Sequence, residues 1–191
     1  MSARRRILVD VDTQHDFVDP AGALYVPADD GVPDAIATLL QEAEVEGTPI
    51  VGSVDSHAYD AWEFEGNGGP FPAHCIKGTP GWLRVHPKLP ARARFVPMQV
   101  LVPTLRNLVG ESVQGEGPRE LGAAALAAEA LAGVGLYFEK EVYSLFDNPA
   151  ATPVVAALVE AMGGADAVVF DVLGYCTGGY CVDAVSYTHL T

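Results

Sequence analysis

Short apolar runs rich in branched and aromatic residues punctuate this chain, at 7–11 (ILVDV), 48–54 (TPIVGSV), 135–139 (GLYFE) and 167–173 (AVVFDVL). Their length and composition predict buried β-strands. Between them lie segments with helical spacing. Residues 32–46 form a predicted helix opened by Pro33 and closed by Gly47, and 119–132 an Ala- and Leu-rich helix ending at Gly133. Residues 148–162 read as a third, with Pro153 in the first turn and Gly163 and Gly164 as the stop. Residues 94–101 are a candidate extra strand. Strands alternating with helices predict a three-layer α-β-α fold, a mostly parallel sheet with helices on both faces. In such sheets ligands sit outside the carboxyl ends of the strands.

The connecting segments differ in character. Residues 13–31 read as a loop with Pro20, Gly22 and Pro27, and 110–117 as a flexible linker. Residues 56–89, rich in Gly and Pro and carrying clustered His, Trp and Phe, are too long for a mere connection, and the aromatics favour order. There is no internal repeat or heptad. A last helix is predicted to begin at Cys181, so the chain reads as truncated at its C-terminus, and the final SYTHLT continues the helical pattern poorly and reads as non-native.

At 191 residues and 49% hydrophobic, one domain spanning 1–191 is expected. A net charge of -14 argues against nucleic acid and anionic membrane surfaces as partners, since both are polyanions. No apolar run is long enough to span a bilayer and the start leads straight into a strand, so a cytoplasmic protein is expected. An odd count of three cysteines favours reduced thiols over disulfides.

Reactive side chains cluster just past the predicted strands: Asp12, Lys140, Cys181, and Asp55 with His57. With His74 and Glu63 the last two make a set of N and O donors suited to Zn²⁺, Mn²⁺ or Fe²⁺. Glu65 rivals Glu63, and Asp60 is a weaker rival. The plainer alternative has Asp55 capping a turn and both histidines partly exposed. Cys181 follows a Thr-Gly-Gly turn and precedes a helical pattern, where the helix dipole favours thiolate. Cys176 competes with it, and Cys75 reads as structural. Asp10 and Asp16 flank Asp12, and Lys140 could equally pair in solvent with Glu139 or Glu141. Independent structural roles would not bring an acid, a cation, a thiol and metal ligands to one sheet edge.

These residues resemble the isochorismatase-like cysteine hydrolases, and among them the nicotinamidases. VDVDTQHDF is similar to the family's first-strand motif, which implies a catalytic Asp12. DSH with FPAHCIKGTPG is similar to its metal loop and implies Asp55, His57 and His74 as ligands, with Glu63 where many relatives have a third His. YFEKEVYSLF implies a catalytic Lys140, and GYCTGGYCVDAV the nucleophile turn, with Cys181 favoured over Cys176. The nucleophile turn departs from the usual pattern in its Gly178-Gly179 pair. The resemblance implies one divalent metal ion, zinc first and iron or manganese as alternatives. It also implies Phe17 and Phe71 around the substrate ring.

The expected activity is deamidation of nicotinamide to nicotinate and ammonia through a thioester. Another small-amide hydrolase, such as an N-carbamoyl amidohydrolase, is the near rival, and a non-catalytic metal-stabilised protein the rival from another class. A small-molecule amide is the expected partner, and the resemblance allows a homo-oligomer.

Overall fold

The computed structural model describes residues 4–98 and 122–175. Within them five strands form one all-parallel sheet: β1 (Arg5–Val11), β2 (Ile50–Asp55), β3 (Ala93–Val96), β4 (Gly135–Lys140) and β5 (Val168–Gly174). Their order across the sheet is β3-β4-β2-β1-β5, so β1, β2 and β4 are neighbours at its centre. The helices are α1 (His15–Val18), α2 (Val32–Glu46), α3 (Ala123–Leu131) and α4 (Ala151–Ala161).

Strand alternation divides the core into two layers. Ile7, Val9 and Val11 of β1, with Leu136 and Phe138 of β4, pack against Leu126 and Ala130 of α3 and Val154 and Leu158 of α4. Leu8, Ile50, Val54 and Tyr137 pack against Ile36, Leu40 and Ala43 of α2. Helices therefore cover both faces, as the alternating pattern predicts. No helix among the described residues is long and apolar enough to cross a membrane.

Several boundaries differ from the sequence expectation. The segment 13–31 is not wholly loop, because Phe17 and Val18 donate backbone bonds to Gln14 and close the single turn of α1. Helix α4 starts at Ala151 rather than 148. Asn148 uses its side chain elsewhere, accepting from the Ala150 N–H and donating to Val96 and Glu139 carbonyls, which competes with helical pairing. Helix α3 begins after Gly122, and β3 (Ala93–Val96) starts one residue before the predicted 94–101, of which 99–101 lie outside the described residues. The predicted linker 110–117, Cys176, Cys181, the helix expected there and the SYTHLT end all lie outside the described residues.

Candidate active site

Adjacent parallel strands bring their carboxyl ends to one edge, and the register is tight. Asp55, the last residue of β2, pairs with Lys140, the last residue of β4, while Val11 of β1 pairs with Ser53. The chain leaves β1 at Asp12 through a left-handed conformation (φ 53°), which Asp tolerates better than branched residues do. Asp12 Oδ1 accepts from Ser53 Oγ at 2.8 Å, and its Oδ2 lies 3.0 Å from Lys140 Nζ. Lys140 Nζ also reaches Asp55 Oδ1 at 3.3 Å. All three side chains are buried, so Lys140 is not the solvated lysine that spacing alone allowed. Glu139 binds Lys77 instead, at 2.6 Å.

Asp55 also belongs to a second cluster. One donor atom each from Asp55, His57, Glu63 and His74 lie within 4.8 Å of one another, all four residues buried, an arrangement that could hold a metal ion. His57 Nε2 sits 3.0 Å from Asp55 Oδ2 and 3.1 Å from Glu63 Oε1, and His74 Nε2 sits 3.3 Å from the same two oxygens. His57 Nε2 is nevertheless a buried nitrogen without a hydrogen-bond partner among the described residues. His74 Nδ1 lies 2.8 Å from the Pro72 carbonyl oxygen, a bond it can make only as the donor. That bond fixes the tautomer and leaves Nε2 free to act as a ligand, the usual support for a metal-binding imidazole. The donor set thus fits a divalent cation. Glu65 and Asp60, the rival ligands, are exposed, and the alternative of turn-capping Asp55 with partly exposed histidines is overturned by burial.

Charge balance follows from this packing. Burial would raise the Asp55 carboxyl, but the Lys140 ammonium and the two imidazoles outweigh it and hold Asp55 well below the usual carboxylate range. Glu63 goes the other way, raised by burial and by the charge on Asp55 despite His57. Burial would lower His74, yet Asp55, the Pro72 carbonyl and Glu63 together raise it. Cys75 is buried and its thiol is pushed up, first by burial and then by Asp55, which suits a structural residue and not a nucleophile.

A cavity of about 180 Å³ opens beside both clusters. Asp55, Glu63, His74 and Lys140 form its polar wall, and Phe17, Phe71, Leu24, Val26, Tyr25 and Tyr143 its apolar one. Phe17 and Phe71 pack on the His74 ring at 5.7 and 6.1 Å. The predicted residues are therefore gathered at one place, Cys181 excepted because it lies outside the described residues.

Sequence reasoning passed over several contributors. Phe64 packs on both imidazoles, at 5.3 Å from His57 and 5.6 Å from His74. Gln14 holds the Asp55 backbone. Below the site, buried Asp10 accepts from Arg84 at 3.1 Å and from Tyr137 at 2.9 Å, which anchors the end of the long loop to the sheet. For Asp10 and Gln14 the available signal was a polar residue at or just past a strand end, which does not separate these roles from turn formation.

Comparison with known proteins agrees with the fold. Residues 6–97 match the Isochorismatase domain family model. The pyrazinamidase of Pyrococcus horikoshii, solved in complex with zinc, is similar in structure with a TM-score of 0.58 and 23% identity, covering 95% of this chain and 76% of that one. A nicotinamidase from Bacillus subtilis gives 0.55 at 23% identity, covering 93% and 74%, and the yeast nicotinamidase Pnc1p bound to nicotinaldehyde gives 0.54 at 17%, covering 95% and 79%. No curated protein matches the sequence. Residues 6–97 are similar in sequence to the Isochorismatase domain, and the fold is that of these solved structures. Among the solved structures of this fold, the ones it resembles include nicotinamidases and pyrazinamidases.

Proposed function

We propose that the chain is a metal-dependent cysteine amidohydrolase that converts nicotinamide to nicotinate and ammonia, with Asp12, Lys140 and Cys181 as its catalytic residues. The observation that carries this reading is the buried Asp12 and Lys140 pair beside a four-donor cluster, with Lys140, Asp55, Glu63 and His74 lining one largely apolar cavity. The family resemblance supplies the nucleophile.

In this reading Asp12 takes the proton of the Cys181 thiol, and Lys140 stabilises the resulting thiolate. The thiolate attacks the amide carbonyl, and backbone N–H groups of the nucleophile turn receive the oxyanion. Asp12 returns the proton to the leaving nitrogen, the C–N bond breaks and ammonia departs from a thioester. Asp12 then takes a proton from water as it adds to that thioester, and returns it to the sulfur as acid leaves. A divalent ion held by Asp55, His57, Glu63 and His74 would supply a Lewis-acid contact for a ring nitrogen of the substrate. Zinc is the first candidate for it, with iron and manganese as alternatives.

The lining favours a neutral ring amide over an N-carbamoyl amino acid. Lys140 is the one Lys or Arg among the described lining residues, and it already lies against Asp12 and Asp55, so the wall offers no further side-chain cation to receive a substrate carboxylate. Phe17 and Phe71 flank the polar wall where a planar ring would lie.

The test is ammonia release from nicotinamide by protein supplied with Zn²⁺, beside Cys181→Ala, Cys176→Ala and Asp12→Asn. Release lost in Cys181→Ala and Asp12→Asn is expected. No release by metal-supplied wild type would reject the activity, and loss confined to Cys176→Ala would move the nucleophile.

A further inference from the structure

We infer that Gln14 is a positioning residue for the metal cluster, an amide fork that replaces the missing edge of β1 and sets Asp55 between the imidazoles and Lys140. The inference rests on reading Asp55, His57, Glu63 and His74 as metal ligands. The parallel ladder between β1 and β2 ends at Val11 with Ser53, and Asp12 then turns the chain away, its N–H closing the last bond to the Ser53 carbonyl at 3.1 Å. Two residues further on, Asp55 still needs partners on that side, since a buried backbone N–H or C=O left unpaired is costly.

The side chain of Gln14 meets both needs. Its Oε1 accepts from the Asp55 N–H at 2.7 Å and its Nε2 donates to the Asp55 carbonyl at 2.8 Å. Nε2 also donates to the Trp82 carbonyl at 2.9 Å, so the same amide ties down the end of the long loop. One N–H and two carbonyls as partners fix which end of the amide is which. On its other side Asp55 is held in register by Lys140. Gln14 is fully buried, and both of its hydrogen bonds to Asp55 go to backbone atoms, so they set the position of the residue and not the charge of its carboxylate.

Only a side-chain amide has this chemistry. Glu at the same length cannot donate and would face two carbonyls, while Met would leave the Asp55 N–H and C=O without partners. The experiment is Zn²⁺ affinity, read by competition with a chromophoric chelator, in wild type, Gln14→Glu, Gln14→Met and Leu158→Ala. Leu158 lies in the core of α4 and serves as a stability control. Both Gln14 variants are expected to lose about 10- to 100-fold in affinity, the range for residues that orient metal ligands. Leu158→Ala is expected to lower the melting midpoint and to keep affinity within about twofold, because it is not part of the Asp55 network. Should either Gln14 variant fail to fold, Gln14→Asn, an amide one methylene short, carries the same expectation. A folded Gln14 variant that binds Zn²⁺ like wild type overturns the inference. Wild type that binds no divalent metal sinks the metal reading beneath it, which is a separate result.

Discussion

Replacing Lys140 by Met removes a buried ammonium and keeps the bulk of its aliphatic stem. Lys140 is 1% exposed, 3.0 Å from Asp12 and 3.3 Å from Asp55, which are themselves buried. At an effective dielectric constant near 20 each contact carries a gross attraction of about 5 kcal/mol, and burial of the charges offsets much of that. Removing one partner leaves the carboxylates buried without their cation, so the net loss expected is about 3 to 5 kcal/mol. With a urea slope of about 2 kcal/mol per M for a chain of this size, the unfolding midpoint falls by about 2 M. The assay is equilibrium urea unfolding of metal-free protein followed by circular dichroism. Adding Asp12→Asn to Lys140→Met is expected to cost less than the two single changes together, because the first neutralises a charge the second strands. A loss below about 1 kcal/mol, the value of an exposed pair, would refute the buried arrangement.

Three further outcomes are expected. Zn²⁺ at about 100 times its dissociation constant should stabilise the fold by about 2.7 kcal/mol, seen as a raised melting midpoint. His57→Ala should abolish the gain, and an unmoved wild-type midpoint would count against the cluster as a metal site. In metal-free protein the raised His74 contributes stability that is present below the ordinary imidazole range and lost as pH rises through the raised value. Zn²⁺ must displace that proton, so its affinity should fall as pH drops, and titrations across about pH 5 to 8 giving a flat affinity would contradict this. Gly52→Ala should cost at least about 1 to 3 kcal/mol by chemical unfolding, since a Cβ there would overlap the Asp10 carbonyl oxygen and crowd the Tyr137 ring between strands. A neutral substitution would mean that β1 and β2 can part more easily than their pairing implies.

The fold was legible because the apolar runs at 7–11, 48–54 and 135–139 are short, branched and bounded by turn residues, and strands buried on both faces need that pattern. Much of the four-donor cluster was legible for a similar local reason: Asp55 and His57 stand at a strand end, and His74 lies in a loop too rich in aromatics to be a connection. Helix starts were less so. Asn148 and the turn at His15 depend on which carbonyls a side chain or peptide happens to meet, and local spacing cannot report that.

What the order of residues left open was contact. Nothing in FEKEV says whether Lys140 faces water beside Glu139 or lies buried against Asp12, and nothing in TQH marks Gln14 as a partner of Asp55. Register decides both. Once β4 lies beside β2 and β2 beside β1, Lys140 stands opposite Asp55, and the turn at Asp12 leaves a gap that Gln14 fills. Local composition sets which residues can be buried or reactive, whereas long-range pairing sets which charges neutralise one another, and that exists only when distant strands have met.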